Sequence, residues 1–363
     1  MRVRRADPGG VSPRRLRWGS APYARRRTRG GELSADQDPG HEAGAVSEPR
    51  PLLVLARPAT DDDGRAALER VRQLLEGVAP HGVEVRTPGS DQAYADAVAS
   101  VAEPSPRDVV VLGGDGSVHR LLQELHDQQV TGSTVGLVPA GTGNDLARSV
   151  HLPLEAQDSA PVAVHGRPAP RGLLVDDTGG VVVNAVHAGV AAEATVHAGE
   201  VKGIFGKAAY AVGALRAGLT SRGWHLRLVV DGRTVVDGSR PVLMVTLALG
   251  SSVGGGARVA PDARPDDGLV DVVVARGTSP VARLGFARDL RRGRHTARSD
   301  VTVTRGREVL VEAVGPKDAF HLSADGEVSP ARISRRSWRV EPGAWRLRVP
   351  DRAATPPRSD ERG

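Results

Sequence analysis

The sequence predicts an α/β protein of two domains, a three-layer α/β domain followed by a β-rich sandwich. Between residues 51 and 150, short apolar runs alternate with runs of helical periodicity, which is typical of a parallel sheet with helices on both faces. After about residue 150, short β-rich runs dominate. Asp-Gly pairs at 231–232 and 237–238 are typical of hairpin turns, which favours an antiparallel sandwich or barrel for the second domain.

The first domain is predicted to begin at residue 51 with the strand PLLVLARPAT, which ends at Pro58. The run DDDGRAALERVRQLLEGVAPHG follows as a helix, because Leu68, Val71 and Leu75 recur at helical spacing. Strands and helices then alternate in the order VEVRTPGS, DQAYADAVASVAE, RDVVVLGG, SVHRLLQELHDQ, TVGLVPAG and NDLARSV. The glycine-rich segments GGDGS and PAGTGND both follow strands, at the edge where parallel sheets bind their ligands.

The second domain is predicted to be mostly strands: GLLVDD, GGVVVNAV, WHLRLVVDG, RTVVDG, PVLMVTLAL, GLVDVVVA, DVTVTRG and REVLVEAV. Only residues 207–219 and 280–293 look helical, and SWRVEPGAWRLRVP is predicted to be a final pair of strands. The predicted organisation is a disordered basic arm at 1–50, the α/β domain at 51–150, the sandwich at 151–349 and a disordered tail at 350–363.

The composition excludes several classes of function. With no cysteine in 363 residues, disulfides, thiolate metal sites and cysteine nucleophiles are excluded. The net charge of +6 favours anionic partners, but with 3% aromatic residues no nucleic-acid partner is expected. No run approaches the ~20 apolar residues that span a bilayer, and residues 1–50 lack the apolar segment of a signal peptide, so a cytoplasmic location is expected. As an alternative to disorder, the basic arm at 1–50 could contact anionic lipid headgroups.

The segment GGDGS combines the features of a phosphate site. Gly113, Gly114 and Gly116 leave room for a ligand against the main chain. The free N–H groups of the next helix, predicted to begin near Ser117, suit a phosphate, and Asp115 could hold Mg²⁺. The alternative is an ordinary strand-to-helix turn in which Ser117 caps the helix.

The segment PAGTGND is a second corner of the same kind. Thr142 could add a hydroxyl to the phosphate cradle, and Asp145 opens a helix, where its ordinary role would be capping. Two corners at adjacent strand ends, each with an acid, favour a nucleotide site with a metal. There is no Walker A loop, no dinucleotide fingerprint and no H-x-x-x-H pair in the sequence.

These motifs together resemble the diacylglycerol kinase catalytic-domain family, in particular its soluble bacterial lipid kinases, which are related to sphingosine kinases. GGDGS is similar to the family's GGDGT, and PAGTGNDLAR matches its second motif. The segments VVNAVHAGVAAEA at 182–194, GGGARVAPDARPDDGLVDVVV at 254–274, RGRH at 292–295 and ADGE at 324–327 complete an ordered set. GGDG alone is shared with NAD kinases and phosphofructokinases, whereas the full series covers residues 51 to 349.

The resemblance implies an α/β domain similar to that of NAD kinases and phosphofructokinases, which binds ATP. The acceptor lipid would lie between this domain and the sandwich. Glu327 is implied as the general base, with Asp325 beside it, and Asp115 and Asp145 as organisers of the catalytic Mg²⁺. The residues implied to contact the nucleotide are Thr87, Gly113, Gly114, Asp115, Gly116, Ser117, Val118, His119, Gly141, Thr142, Gly143 and Asn144.

The resemblance also implies a second, structural Mg²⁺ in the segment ARPDDGL. The Asp267 carboxylate and the main-chain carbonyls of Arg264 and Leu269 would hold it, and hard cations prefer such oxygen ligands. Without the resemblance, this segment would pass for a solvated turn, and Asp325-Gly326 for a plain hairpin turn.

Three positions depart from the family pattern. Ser117 replaces the usual threonine but keeps the hydroxyl, and His119 stands where asparagine is common. Arg57 precedes Pro58 in the segment that usually has the pattern N-P-x-S-G. The guanidinium of Arg57 could reach phosphate in place of an asparagine contact.

The expected activity is that of an ATP-dependent lipid kinase, which transfers the γ-phosphate to a hydroxyl of diacylglycerol or a related lipid. Such a kinase would touch the membrane surface peripherally. RDLRRGRHTAR at 288–298 is a candidate contact, with a solvated helix face as its alternative. The alternatives are a kinase for a soluble acceptor such as NAD and a non-catalytic nucleotide-binding regulator. The N-E-[AVS] motif of an NAD kinase is absent, and a non-catalytic regulator has no need of a general base. The sequence leaves open whether the chain forms a homodimer.

Overall fold

The computed structural model describes residues 51–102, 107–190, 192–193 and 222–351, which belong to one compact unit, Ser47–Gly363. The predicted basic arm at 1–50, the predicted helix at 207–219 and all but the first two residues of the predicted tail lie outside the described residues. Within the described ranges, no helix is long and apolar enough to cross a membrane.

The chain alternates helices and strands at first and is mostly strands later. The described helices are α1 (Asp62–Glu76), α2 (Asp91–Ala102), α3 (Asp115–Asp127), α4 (Asp145–Ser149), α5 (Ala156–His165) and α6 (Pro280–Arg291). The strands are β1 (Leu52–Ala56), β2 (Val83–Arg86), β3 (Val109–Gly113), β4 (Thr134–Pro139), β5 (Arg167–Asp176), β6 (Val181–Val182), β7 (Ala185–Gly189), β8 (Leu226–Val230), β9 (Arg233–Asp237), β10 (Met244–Ala248), β11 (Val270–Ala275), β12 (Val301–Gly306), β13 (Glu308–Ala313), β14 (Leu322–Ala324), β15 (Glu327–Val328) and β16 (Arg335–Val349).

Local sequence signals set the ends of several helices. Asp61 caps α1 because its carboxylate accepts a hydrogen bond from the main-chain N–H of Gly64 at 2.7 Å. Ser279 caps α6 in the same way, and Pro280 occupies the first helical position, where its missing N–H costs nothing. These capping residues explain why both helices begin where the sequence predicts.

One mixed sheet has the order β2-β1-β3-β4-β16-β13-β8-β9, with β5 beside β16 and β6 beside β5. The strands β2, β1, β3 and β4 are parallel, so their carboxyl ends lie along one edge. The long strand β16 is antiparallel to β13 at its start and parallel to β4 at its end. The parallel half of the sheet therefore places the two glycine corners side by side, after β3 and β4.

Helices cover both faces of the parallel half. On one face, α2 and α3 bury Val98 and Leu121 in the core, and on the other, α1 and α5 bury Leu75 and Ala160. Successive residues of β3 face opposite sides, and both sides are buried, as expected for a strand with helices above and below it. The predicted three-layer α/β arrangement is confirmed.

A second sheet has the order β12-β11-β10-β7-β14-β15 and is antiparallel throughout. It packs against the antiparallel half of the first sheet through a core that includes Val186, Leu228, Leu247, Val272 and Trp338. Each of the eight predicted β-rich runs contains a strand. The predicted β-sandwich is confirmed.

Two local expectations are wrong. Residues 335–349 form one strand, β16, instead of a pair, because the Pro-Gly step inside it is absorbed by a shift in register against β5 between Glu341 and Trp345. Asp237-Gly238 does not close a hairpin, since β8 is the single partner of β9 among the described strands. The other Asp-Gly pair, at 231–232, does join β8 to β9, and both its residues have positive φ.

The first sheet crosses the predicted domain boundary near residue 150. Strand β5, which follows that residue, pairs with β16, and β16 also pairs with β4, which precedes it. The final strand therefore ties the two halves of the chain together, and the boundary itself stays a prediction.

Candidate active site

The first glycine corner joins strand β3 to helix α3. Gly113 ends the strand, Gly114 precedes the helix with an extended backbone, and α3 begins at Asp115, two residues earlier than predicted. Ser117 does not cap the helix, because α3 has no side-chain cap and Ser117 Oγ is a buried atom without a partner in the described chain. The capping alternative for Ser117 is wrong. The N–H groups of Ser117 and Val118 donate to the Gly114 carbonyl. No side chain among the described residues accepts from the N–H groups of Asp115 and Gly116.

The second glycine corner touches the first. A Cβ on Gly114 would lie 2.7 Å from the Cα of Gly141, and one on Gly141 would lie 2.5 Å from the Cα of Gly114. Asn144, at φ 52°, holds this loop: its side-chain amide donates to the Gly141 carbonyl at 2.9 Å and accepts from the Gly141 N–H at 3.0 Å. The contact between the two corners therefore requires glycine on both sides.

The acids of the two corners are joined by hydrogen bonds. The Asp115 carboxylate accepts from the main-chain N–H groups of Asp145 at 3.0 Å and Leu146 at 2.9 Å, so it caps α4 from the neighbouring corner. The Asp145 carboxylate does not cap its own helix. It accepts from the N–H groups of Gly255 and Gly256, each at 2.9 Å, in the loop after β10. The capping alternative for Asp145 is wrong, and its carboxylate instead joins the two halves of the molecule.

The Asp145 carboxyl lies in a negative environment. Burial raises its pKa above the usual range, and the charge of Asp115 raises it further against the effect of the two glycine N–H donors. A Cβ on Gly143 would lie 3.3 Å from an oxygen of each carboxylate, so both acids flank the same point of the loop. Because a carboxylate oxygen that accepts one hydrogen bond keeps a second lone pair, this pair of acids suits a divalent cation.

Asp325 anchors the hairpin between β14 and β15. Asp325 and Gly326 form its two-residue turn, and both have positive φ. The Asp325 side chain is 1% exposed. Its carboxylate accepts hydrogen bonds from the main-chain N–H groups of Val183 at 2.7 Å, Asn184 at 2.9 Å and Ala185 at 3.1 Å. The hairpin is therefore fixed to the segment that leads into β7.

His119 connects helix α3 to that hairpin. It lies four residues after Asp115, so both side chains project from the same face of α3. Its Nδ1–H donates to Asp325 Oδ2 at 2.9 Å. Burial alone would lower the pKa of His119, but the hydrogen bond to Asp325 and the charges of Asp325 and Glu327 raise it above its ordinary value. Glu327 is exposed, and its carboxylate has no hydrogen-bond partner among the described residues.

Four other positions at this edge differ in what they offer a nucleotide. Thr87 follows β2, Thr142 lies in the second glycine corner, and both are exposed. Arg57 follows β1, and its Nη2 lies 3.5 Å from where a Cβ on Gly116 would be. Val118 is completely buried in the core, so only its main chain could face a ligand. These positions stay predicted nucleotide contacts.

The predicted structural metal site lies in the turn before β11. Asp267 Oδ1 accepts from the Leu269 N–H at 3.0 Å, and Arg264 is exposed. Nearby, Asp271 Oδ1 accepts from Arg305 Nε at 2.9 Å, whereas Asp271 Oδ2 is buried without a partner in the described chain. Burial raises the pKa of Asp271 against the opposing effect of Arg305. No group of three or more His, Asp or Glu in the described ranges could hold a metal. The structural metal site therefore stays a prediction.

The sequence motifs did not reveal how Asn184 and the glycine run after β10 contribute to the site. Asn184 Nδ2 donates to the Ser252 carbonyl at 2.8 Å, which fixes the start of the glycine run. Gly255 and Gly256 have φ of 87° and 114°, which aim both N–H groups at Asp145. The glycine run was visible in the sequence, but its partner carboxylate is 110 residues away.

His187 lies on strand β7, close to the Asp325 hairpin. Its Nδ1 is hydrogen-bonded to Thr246 Oγ1 on β10 at 2.9 Å. Part of the imidazole is exposed, but the surrounding side chains desolvate the ring and lower its pKa to about 4 against the opposing charge of Asp325. The His187 ring is therefore neutral near pH 7 and adds no charge to the site.

The fold and the site together define a class of protein. The α/β half carries two touching glycine corners at the carboxyl edge of its parallel strands. Asp145 and His119 join this half to a β-sandwich that carries an exposed glutamate beside the same helix. This arrangement is an α/β half joined to a β-sandwich half, the organisation that the sequence motifs predict for a kinase.

Comparison with known sequences identifies the family. The diacylglycerol kinase catalytic domain matches residues 51–173, and the YegS C-terminal NAD kinase beta sandwich-like domain matches residues 184–349. A diacylglycerol kinase of Mycobacterium tuberculosis is 30% identical over 315 residues, which cover 83% of this chain and 96% of the relative. A diacylglycerol kinase of Bacillus subtilis is 26% identical over 266 residues, 71% of this chain and 84% of the relative. The chain belongs to the diacylglycerol kinase family, as its motifs predicted.

A solved structure has the same fold. The crystal structure of a diacylglycerol kinase from Bacillus anthracis aligns with a TM-score of 0.67 at 18% identity, over 84% of this chain and 98% of that chain. At this identity the likeness concerns the fold alone, and it confirms the predicted fold class.

Proposed function

We propose that this chain is a lipid kinase that uses ATP and Mg²⁺ to phosphorylate a hydroxyl of diacylglycerol or a related lipid. The observation that carries the proposal is the convergence of both halves on helix α3, through Asp115 at its start and His119 one turn later. Asp115 belongs to the pair of glycine corners, and His119 contacts the hairpin that carries Glu327. The relatives named diacylglycerol kinase support the choice of acceptor.

The glycine corners would hold the triphosphate. The first N–H groups of α3 and the positive end of its dipole favour an anion there. Gly114 and Gly141 leave the main chain open to a close approach, and Thr142 offers a hydroxyl. Arg57 beside Gly116 would add a guanidinium, which matches phosphate geometry.

Asp115 and Asp145 would hold the catalytic Mg²⁺, directly or through water. The position of the two carboxylates supports this role, because an oxygen of each lies 3.3 Å from where a Cβ on Gly143 would be, and a divalent cation would relieve the repulsion between them. When bound, Mg²⁺ neutralises charge on the transferred phosphate and its leaving group. Asp267, with the carbonyls of Arg264 and Leu269, would hold the second, structural Mg²⁺.

Glu327 would take the proton from the acceptor hydroxyl as the hydroxyl oxygen attacks the γ-phosphorus. The bond between the γ-phosphorus and the oxygen that bridges to the β-phosphate breaks, and ADP leaves with that electron pair. The exposed and unpaired Glu327 carboxylate suits a base, which contributes about 10²–10⁴-fold to such a reaction. Asp325 is suited to positioning instead, because three main-chain N–H groups and His119 already occupy its carboxylate.

A transfer assay with labelled ATP and a panel of acceptors tests the proposal. The full chain is incubated with mixed micelles of diacylglycerol, with other hydroxylated lipids and with NAD, each with and without a chelator of Mg²⁺. We expect label in diacylglycerol or a related lipid, only when Mg²⁺ is present. Label in NAD but in no lipid would point to a soluble acceptor, and ATP binding without any transfer would point to a regulator; either result contradicts the proposal.

A further inference from the structure

Helix α6 exposes two large apolar side chains. Val281 is 80% exposed and Leu284 is 54% exposed. On the opposite side of the helix, Phe286 is buried in the core of the second sheet and meets the ring of His295 edge-on at 5.8 Å. Packing on the sheet therefore accounts for the buried side of α6 and leaves its outward side unexplained.

The outward residues form one continuous surface. At 3.6 residues per turn, they fall within an arc of about 100° on the helix surface. We call this surface the α6 face: Val281, Leu284, Arg288, Arg291 and the cap residue Arg292. Phe286 and Leu290 fall on the opposite side, so the face is separate from the surface that packs on the sheet.

Two of the three arginines on the α6 face have no acidic partner among the described residues. Arg291 and Arg292 are exposed and form no ion pair with the described residues. Arg288 contacts Asp289 at 3.2 Å, but Asp289 is already held by Arg298 at 2.8 Å. The apolar side chains lie toward the start of the face and the arginines toward its end.

We infer that the α6 face docks on an anionic phospholipid bilayer. Val281 and Leu284 would enter the region between headgroups and acyl chains, while the arginines contact headgroup phosphates. Membrane binding is favoured both by apolar side chains that enter the headgroup region and by cations that attract anionic lipids, and the α6 face has both. The guanidinium suits phosphate because it presents two parallel N–H donors.

The α6 face is tied to the candidate active site through the turn after α6. His295 is completely buried, and its Nε2–H donates to the Val259 carbonyl at 2.8 Å. Val259 lies three residues after Gly256, whose N–H donates to Asp145. Docking through α6 would therefore hold the nucleotide site at the surface that contains a lipid acceptor. The role of docking in bringing the nucleotide site to a lipid acceptor rests on the proposed lipid kinase function, whereas docking on the bilayer does not.

Vesicle co-sedimentation of the full chain tests the inference without any measurement of activity. The vesicles are phosphatidylcholine with or without phosphatidylglycerol. We expect binding only to the anionic vesicles, and weaker binding at high salt. The variant Arg291→Gln/Arg292→Gln should bind about 20-fold or more weakly, since each arginine at an anionic surface contributes about fivefold, which corresponds to ~1 kcal/mol.

A matched variant distinguishes this face from the general basic charge of the chain. Arg233→Gln/Arg335→Gln removes the same charge from exposed positions on β9 and β16 and should bind as the wild type does. Wild-type affinity of the α6 variant, or an equal loss in both variants, would overturn the inference. Lipid phosphorylation combined with either result would leave the proposed function standing, and vesicle docking without lipid phosphorylation would contradict that function alone.

A fluorescent probe tests the orientation of the face. Because the chain has no cysteine, Leu284→Cys provides a single attachment point for an environment-sensitive dye. We expect the emission to shift to the blue with anionic vesicles. Val314→Cys is the control, since Val314 is 60% exposed and lies after β13. No shift at residue 284, or the same shift at both positions, would overturn the inference.

Discussion

The main-chain N–H of Asp145 donates to the Asp115 carboxylate at 3.0 Å, so the acid of one glycine corner caps the helix that follows the other corner. Because Asp115 provides this cap, the Asp145 carboxylate can accept hydrogen bonds from Gly255 and Gly256 in the second half of the molecule. The two acids therefore hold the second glycine corner to the first corner and to the loop after β10, in addition to the role proposed for them with Mg²⁺.

Replacing Asp115 should affect both stability and turnover. Asp115→Ala leaves the N–H groups of Asp145 and Leu146 without their acceptor, so the free energy of unfolding should fall by about 1–2 kcal/mol. Phosphoryl transfer should be lost with the proposed metal site. Urea unfolding and the lipid transfer assay measure the two effects.

Asp61→Ala is the matched control, because Asp61 caps α1 through Gly64. It should destabilise the protein by a similar amount and leave turnover unchanged. Normal turnover in Asp115→Ala would contradict the role assigned to Asp115.

The contact between the two glycine corners should not tolerate a side chain. Gly114→Ala places a Cβ 2.7 Å from the Cα of Gly141, so the corners must separate, at a cost of about 1–3 kcal/mol in the free energy of unfolding. ATP affinity, measured by calorimetry, should also fall, because the separated corners no longer fit the triphosphate. We expect a loss of more than about tenfold, which corresponds to about 1.4 kcal/mol of binding free energy. Gly89→Ala, at a glycine with open space around it, should change neither quantity. Unchanged ATP affinity in Gly114→Ala would show that the nucleotide does not use this contact.

The His119–Asp325 pair should make stability fall as pH rises above the ordinary pKa of histidine. The folded pKa of His119 is raised, so the stabilisation from its charge is complete below the ordinary pKa of about 6.5 and is lost as pH rises through the folded pKa. His119→Asn keeps an N–H donor for Asp325 but carries no charge. The difference in free energy of unfolding between the wild type and this variant should therefore shrink as pH rises. A difference that does not change with pH would mean that the charge of His119 has no part in the contact.

His187 should act in the opposite direction, in acid. Its folded pKa is lowered to about 4, so folding resists its protonation, and stability is lost as pH falls from about 6.5 toward 4. A shift in pKa from 6.5 to about 4 sets an upper limit of about 3 kcal/mol on the loss of stability. The measured loss should be smaller, because His187 is partly exposed. His187→Gln should lose less stability in acid than the wild type. His81→Gln, at an exposed histidine, should follow the wild type, and identical acid unfolding of His187→Gln and wild type would contradict the low pKa.

Local patterns in the sequence were enough to predict the architecture and the meeting of the two glycine corners at one edge of the sheet. The alternation of apolar runs and helical runs fixes β1 to α4, and the parallel connections place GGDGS and PAGTGND at one edge. The acids of both corners were predicted for the same reason. Short-range signals failed where a long-range contact decides the structure, as at the Pro-Gly step inside β16, which pairing with β5 keeps within one strand.

The partners of the site residues could not be predicted from the sequence. Asp325 accepts from Val183, Asn184 and Ala185, about 140 residues earlier, and no local pattern encodes that pairing. His119 stood out only as a departure from the family pattern, and its partner is 206 residues away. Such contacts depend on how the second sheet packs against the first, which the periodicity of a single chain does not specify.

Acids from both halves of the molecule are proposed to form one phosphoryl-transfer site. The most direct test of that site is to remove the proposed base alone. Glu327→Gln should bind ATP with wild-type affinity and transfer phosphate to diacylglycerol about 10²–10⁴ times more slowly in a single turnover. Glu308→Gln, the same substitution at an exposed glutamate on β13, should match the wild type in both measurements. A wild-type transfer rate in Glu327→Gln would contradict the mechanism.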